Sequence, residues 1–218
     1  MTTLNLSAEQ VLSTTRAVRK RLDFDKPVDM SLIRDCLEVA LQAPSGSNSQ
    51  GWQFVVVTDK EKIATIAKYY LEAFDEYEAG PNQPTQQHLD DPSMAATQAK
   101  VLSSARYLAD NLHRSPALLI PCAGGLPAYS ELPLNVISSI YGSILPAVWS
   151  FMLAARERGL GTCWTTLHLQ FADEIGGLLN IPPEFAQVAL IPIAHTKGTD
   201  FKPAPRKSLE GVLHIDSW

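Results

Sequence analysis

The sequence predicts a single α+β domain, residues 1–218, in which helices flank a central mixed or antiparallel sheet. Three observations carry that prediction. Segments with apolar residues at helical spacing alternate with a few short, nearly continuous apolar runs. Pro, Gly and Asn punctuate the boundaries, and no linker splits the 218 residues into two cores. With 45% hydrophobic and 19% charged residues, the chain has the composition of a globular protein with a sizeable core.

Taken in order, Ser7-Ala8-Glu9-Gln10 has the form of a capping box and opens a helix predicted to reach about Arg21. On that helix Arg16 and Arg19, three apart, occupy neighbouring positions beside an apolar stripe of Val11, Thr15, Val18 and Leu22. Asp29 caps a second helix that turns Leu32, Ile33, Leu37, Ala40 and Leu41 inward and ends before Pro44. Trp52 to Thr58 reads as a strand covered on both sides, and Asp59 caps a helix to about Tyr77. Gly80 to Pro92, rich in Pro, Gln and Asn, reads as a mobile loop within an excursion of about 70–95 that shapes the entrance to a site. A helix from Met94 to about His113 and a strand from Ala117 to Cys122 follow, then a turn-rich stretch from Gly124 to Pro133. The next helix is long, lacks any charge from Val136 to Ala155, carries Pro146 as a kink, and stops at Gly159 in a left-handed C′ position. A strand over Thr162–Thr166, a helix over Phe171–Asn180, a strand over Val188–Ala194 and an extended tail from 199 to 218 complete the chain.

Composition excludes several functions. A net charge of −5 argues against nucleic acid as a partner. Cys36, Cys122 and Cys163 are odd in number and far apart, which fits neither a disulfide scaffold nor a zinc site. The five histidines lack metal-ligand spacing, so no metal site is expected. The first residues show no secretory signal, and a reducing cytoplasm is the expected compartment. Val136–Ala155 has the length of a membrane span, yet its Ser, Gly and Pro content suits a buried central helix or a dimer interface, and no membrane association is expected. Gly159-Leu160-Gly161 follows a helix rather than a strand, so it is no dinucleotide fingerprint. P-loop and hydrolase-elbow patterns are absent.

Two stretches remain that suit ligand binding. Ala43–Phe54 (APSGSNSQGWQF) holds a charge-free polar loop between a helix and a strand, offering N–H groups, hydroxyls and amides; an ordinary connection explains it equally well. Arg16 and Arg19 suit a phosphate through forked, charge-assisted hydrogen bonds, whereas a solvated basic turn complementing the helix dipole explains them without a ligand.

Taken together, the R-x-x-R pair (Arg16, Arg19), the A-P-S-x-x-N-x-Q-x-W loop (Ala43–Trp52), the ARERGLGTCW helix end (Ala155–Trp164) and the KPAPRKSLEGVLHID tail (Lys202–Asp216) resemble the nitroreductase family, in its order and over nearly the whole chain. The resemblance implies an intertwined homodimer with two FMN molecules at the subunit interface. By position it assigns Arg16, Ala17, Arg19 and Arg206 to the ribityl phosphate end. It assigns Pro44, Ser45, Gly46 and Asn48 to the flavin edge from the partner subunit. Leu167 and His168 fall where the backbone faces the flavin N5 region. Ala17 stands where many relatives have serine, Thr15 where an extra arginine is common, Gly51 where proline is frequent, and Leu167-His168 where an acidic-Gly or Gly-Gly pair is often found. The mid-chain flavin ligands, within about 80–113, are left unassigned.

What the resemblance implies chemically is a ping-pong transfer of electrons from NADH or NADPH through FMN to a nitroaromatic, quinone or similar flat small molecule. No side chain need act as a catalytic residue, because the cofactor carries the chemistry. Reductive dehalogenation, desaturation or flavin breakdown within the same fold, and a non-enzymatic flavin-binding role, are the alternatives.

Overall fold

The computed structural model describes residues 3–125, 132–206 and 208–218. Its order is α1 (Ala8–Thr14), β1 (Leu22–Asp23), α2 (Met30–Ala40), β2 (Trp52–Val57), α3 (Lys60–Ala79), α4 (Pro92–Asn111), β3 (Ala117–Gly124), α5 (Leu134–Glu157), β4 (Leu160–Thr162), α6 (Ala172–Leu179), β5 (Phe185–Gln187) and β6 (Ile191–Thr196). The sheet runs β1-β6-β3-β2, with β4 paired to β6 and β5 to β3. Every ladder among the described residues is antiparallel.

Side-chain alternation along the strands builds two cores, one on each face of the sheet. In β2 and β3, Trp52, Phe54, Val56, Ala117, Leu119 and Ala123 face one way, toward Ile33 and Cys36 of α2 and Ala147, Val148 and Phe151 of α5. Val55, Val57, Leu118, Ile120 and Cys122 face the other, toward Ile63, Ile66 and Phe74 of α3 and Leu108 of α4. The sheet is therefore the middle layer of three. Tyr70 and Phe74 are buried in this second core, and Tyr69 stacks on Phe171 at 4.9 Å. The loop between α3 and α4 spans 80–91, while 70–79 belong to α3.

Local signals place the helix starts. The Ser7 capping box is formed, and the Asp29 and Asp59 carboxylates accept from Ser31 N–H and from Glu61 and Lys62 N–H. Elsewhere the expected boundaries shift. The first helix stops at Thr14, seven residues short of Arg21, so Arg16 and Arg19 do not share a helical face. Thr14 and Thr15 turn their hydroxyls back onto the Gln10 and Val11 carbonyls (2.6 and 2.7 Å), a bond that competes with helix continuation. Thr15 is extended, and Val18 N–H donates to the Thr162 carbonyl at 2.8 Å. Tertiary pairing beside β4 thus outweighs helical periodicity. The strand expected at Thr162–Thr166 lies earlier, with only a bridge from Thr165 to Leu190. The last strand begins at Ile191 rather than Val188 and runs to Thr196, and neither β5 nor the two-residue β1 was anticipated. Most of the turn-rich stretch, with Glu131, lies outside the described residues, as does Lys207.

Helix α5 runs on through Pro146 and ends before Gly159 at φ 71°, the left-handed stop expected there. It is long and apolar enough to cross a membrane by length and composition. One face is core. The other leaves Leu134 78%, Leu145 37% and Trp149 39% exposed.

Candidate functional site

The truncated first helix frees residues 16–21 to line the wall of a cleft of about 950 Å³. Arg16, Ala17, Arg19, Lys20 and Arg21 form one side, and Ala96, Ala99, Lys100, Ser103 and Ser104 of α4 the other. No carboxylate lies among its described lining residues, so five basic side chains give the cleft a positive potential within a chain of net charge −5. Lys20 Nζ donates to Ser103 Oγ (2.8 Å) and Arg19 Nη1 to Ser104 Oγ (3.4 Å). Those hydroxyls draw α4 against the cationic segment. Arg19 also lies by Cys163, whose thiol burial pushes up while the guanidinium pulls it down.

The tail closes the end of the cleft. Arg16 Nη1 donates to the Lys202 carbonyl (3.3 Å), and Phe201 and Pro205 are lining residues. Arg206 is exposed and donates to the Pro205 carbonyl at 2.9 Å. The two ends of the chain therefore meet at one basic cavity. Ala17 has no side chain beyond Cβ to fill it.

The polar loop lies elsewhere, on α5. Gly46 N–H donates to Ser143 Oγ (2.9 Å), which in turn donates to the Ser139 carbonyl (2.7 Å). A Cβ on Gly46 would run into Ser139 Oγ, so a larger residue there would have to turn that hydroxyl aside. Ser45 Oγ accepts from Gln50 N–H at 3.1 Å, and Ser47, Asn48 and Gln50 adopt positive φ. The loop is held in one shape. None of Pro44, Ser45, Gly46 or Asn48 lines the basic cleft of its own chain.

Leu167 and His168 open a short 3₁₀ turn after β4 and also stand apart from that cleft. Leu167 packs against the core beside α3. The His168 ring is fully buried, and neither nitrogen has a partner among the described residues. Loss of water pulls its pKa down to about 4, so it is neutral at neutral pH. Among the described residues no group of three or more His, Cys, Asp or Glu could hold a metal.

Sequence reasoning missed Lys20, Lys100, Ser103, Ser104 and Phe201 as parts of the cleft. One signal for the α4 wall was available: Ala96, Ala99 and Ser103, with Lys100 and Ser104 alongside, are small or polar at i, i+3, i+7 spacing.

Fold and site together define a three-layer α+β protein that brings its N-terminal segment and its tail to one basic cleft. The family model described as the nitroreductase family matches residues 12–195, and the chain belongs to that family. A nitrobenzene nitroreductase from Ectopseudomonas oleovorans is 31% identical over 192 residues, covering 78% of this chain and 79% of that protein. Among solved structures, a BluB-like flavoprotein from Clostridium difficile 630 superposes with a TM-score of 0.69 at 19% identity, over 97% of this chain and 99% of that one. A mutant of an FMN and NADPH-dependent nitroreductase from sphigopyxis sp. strain HMH gives 0.69 at 21% identity, over 98% and 100%. The two structures establish the fold.

Proposed function

We propose that this protein is an FMN-dependent oxidoreductase that passes electrons from NADH or NADPH to nitroaromatics, quinones or similar flat acceptors. The carboxylate-free basic cleft at the meeting of the N-terminal segment and the tail is the observation that carries this reading. Its donor set fits a phosphate monoester: Arg16 and Arg19 supply forked, permanently charged donors, Lys20 and Lys100 point charges, and Arg206 lies one residue beyond the wall. When bound, FMN would accept a hydride from the nicotinamide and release the electrons to the acceptor. Donor and acceptor then use one place in turn, which gives ping-pong kinetics.

The chain's own task is binding and orientation. Arg16, Arg19 and Arg206 would hold the phosphate, with the small Ala17 letting the backbone come close. Leu167 and His168 present backbone rather than side chain, since the His168 ring is directed into the interior. The loop from Pro44 to Asn48 would act on the second copy's cofactor. Its anchorage on α5 at Ser143, together with Leu145 and Trp149 left exposed on another face of that helix, supports a homodimer in which each site takes residues from both chains.

The test is a spectrum of the purified protein. A yellow preparation, or one that takes up added FMN, bleached by NADH or NADPH and restored by a nitroaromatic or quinone, is the expected result. A colourless protein that refuses FMN overturns the reading. Flavin uptake without acceptor-dependent turnover would leave only a binding protein.

A further inference from the structure

At the tail end of the cleft sits an arrangement that phosphate binding alone does not require. Arg156, in the last turn of α5, is 5% exposed and has no carboxylate within ion-pair distance among the described residues. Its Nε is buried without a partner, and burial pulls its pKa below the usual guanidinium range. Holding a charge there is unfavourable unless the group does something in return. Its contacts are all to chain ends: Nη2 donates to the Thr199 carbonyl (3.0 Å) and to Thr14 Oγ1 (3.3 Å), and its Cζ lies 5.0 Å from the Phe201 ring centroid. Arg21 approaches the same ring at 4.2 Å, pairs with Asp200 (2.6 Å), and donates through Nε to the Lys197 carbonyl (2.9 Å). Phe201 thus shares its ring with two guanidinium groups, one from the N-terminal segment and one from α5.

The geometry points to Phe201 as a positioning residue that delivers Arg206 to the flavin phosphate. This assignment rests on the functional reading above. Between Phe201 and Arg206 lie Lys202, Pro203, Ala204 and Pro205, and two prolines in four residues restrict the backbone to an extended path. Fixing Phe201 at one end of such a strut fixes where Arg206 arrives at the other. Arg16 adds a check on the path through the Lys202 carbonyl. Attraction of each guanidinium to the ring face is individually modest. Two on one ring, with the backbone bonds at Thr199 and Lys197, make the anchor specific for an aromatic residue.

The experiment compares FMN with riboflavin, which lacks the phosphate, by fluorescence titration of the intact protein. Wild type should prefer FMN. Phe201→Ala should cut that preference about tenfold while riboflavin affinity stays unchanged, and should cut it no further in an Arg206→Ala background. Should Phe201→Ala fail to fold, Phe201→Leu keeps the apolar volume without the ring faces and carries the same prediction. Phe201→Tyr should restore the preference. Equal weakening of both flavins, or additive losses in the double variant, would overturn the positioning role while leaving the cofactor site intact. A wild type that binds neither flavin would overturn the functional reading and this assignment with it.

Discussion

The basic cleft and the polar loop are built on opposite principles. Around the cleft, long charged side chains from sequence-distant segments converge: Arg16 reaches the Lys202 carbonyl, Lys20 reaches Ser103, and Arg21 reaches Asp200. In the loop, backbone does the work, with Gly46 pressed onto Ser143 and three non-glycine residues at positive φ. One chain supplies all of the cleft's basic walls, whereas the loop is shaped and anchored but faces no cavity with those residues. The difference teaches that the basic cleft is walled by one chain alone, whereas the loop lines none of it, which is why the proposed function gives the loop a role only through a second copy.

The harshest way to break that comparison is to charge the bare face. Leu145→Glu with Trp149→Glu should leave monomers in sedimentation and abolish FMN retention, because the loop would no longer reach a partner's site; dimers that keep FMN would remove α5 from the interface. Next in size, Arg19→Ala and Arg206→Ala should each weaken FMN binding by about 1.5–3 kcal/mol, roughly ten- to a hundredfold, by titration. Unchanged affinity in both separates the cleft from the cofactor. Gly46→Ala should then lower stability by about 1–3 kcal/mol in denaturant melts, since the Ser139 hydroxyl must be displaced. A neutral result would show that the loop is not held as described.

A last test concerns acid. The unfolded imidazole of His168 takes up a proton near 6.5, while the buried ring resists until about 4. Between those values the unfolded state binds more protons, so His168's contribution is whole above pH 6.5 and declines as pH falls toward 4. His168→Leu should flatten that part of the stability–pH curve. An unaltered slope would mean another group sets it.

What the sequence made legible was local. Ser7, Asp29 and Asp59 cap their helices because a side chain need only reach two or three residues along. Gly159 ends α5 because its φ of 71° suits glycine. The strand core of β2 and β3 followed from runs of apolar residues. The end of α1 was misread because Val18 finds its partner in Thr162, far along the chain, and periodicity carries no record of that bond. Gly46 on Ser143 and Arg156 on Phe201 were invisible for the same reason. The family motifs drew attention to Arg16, Arg19 and Arg206, but the α4 wall lay in the stretch where no motif could be aligned.

The hub position of β3 sets how this chain must be made. It bonds β2 along one edge, and its other edge waits for β5 and β6 near the far end of synthesis. Until the ribosome has passed Thr196, one edge of a strand as apolar as Ala-Leu-Leu-Ile stays without its partners. Such late, non-local closure makes folding slow and leaves the nascent chain sticky, so release before β6 should yield aggregates rather than a smaller folded unit.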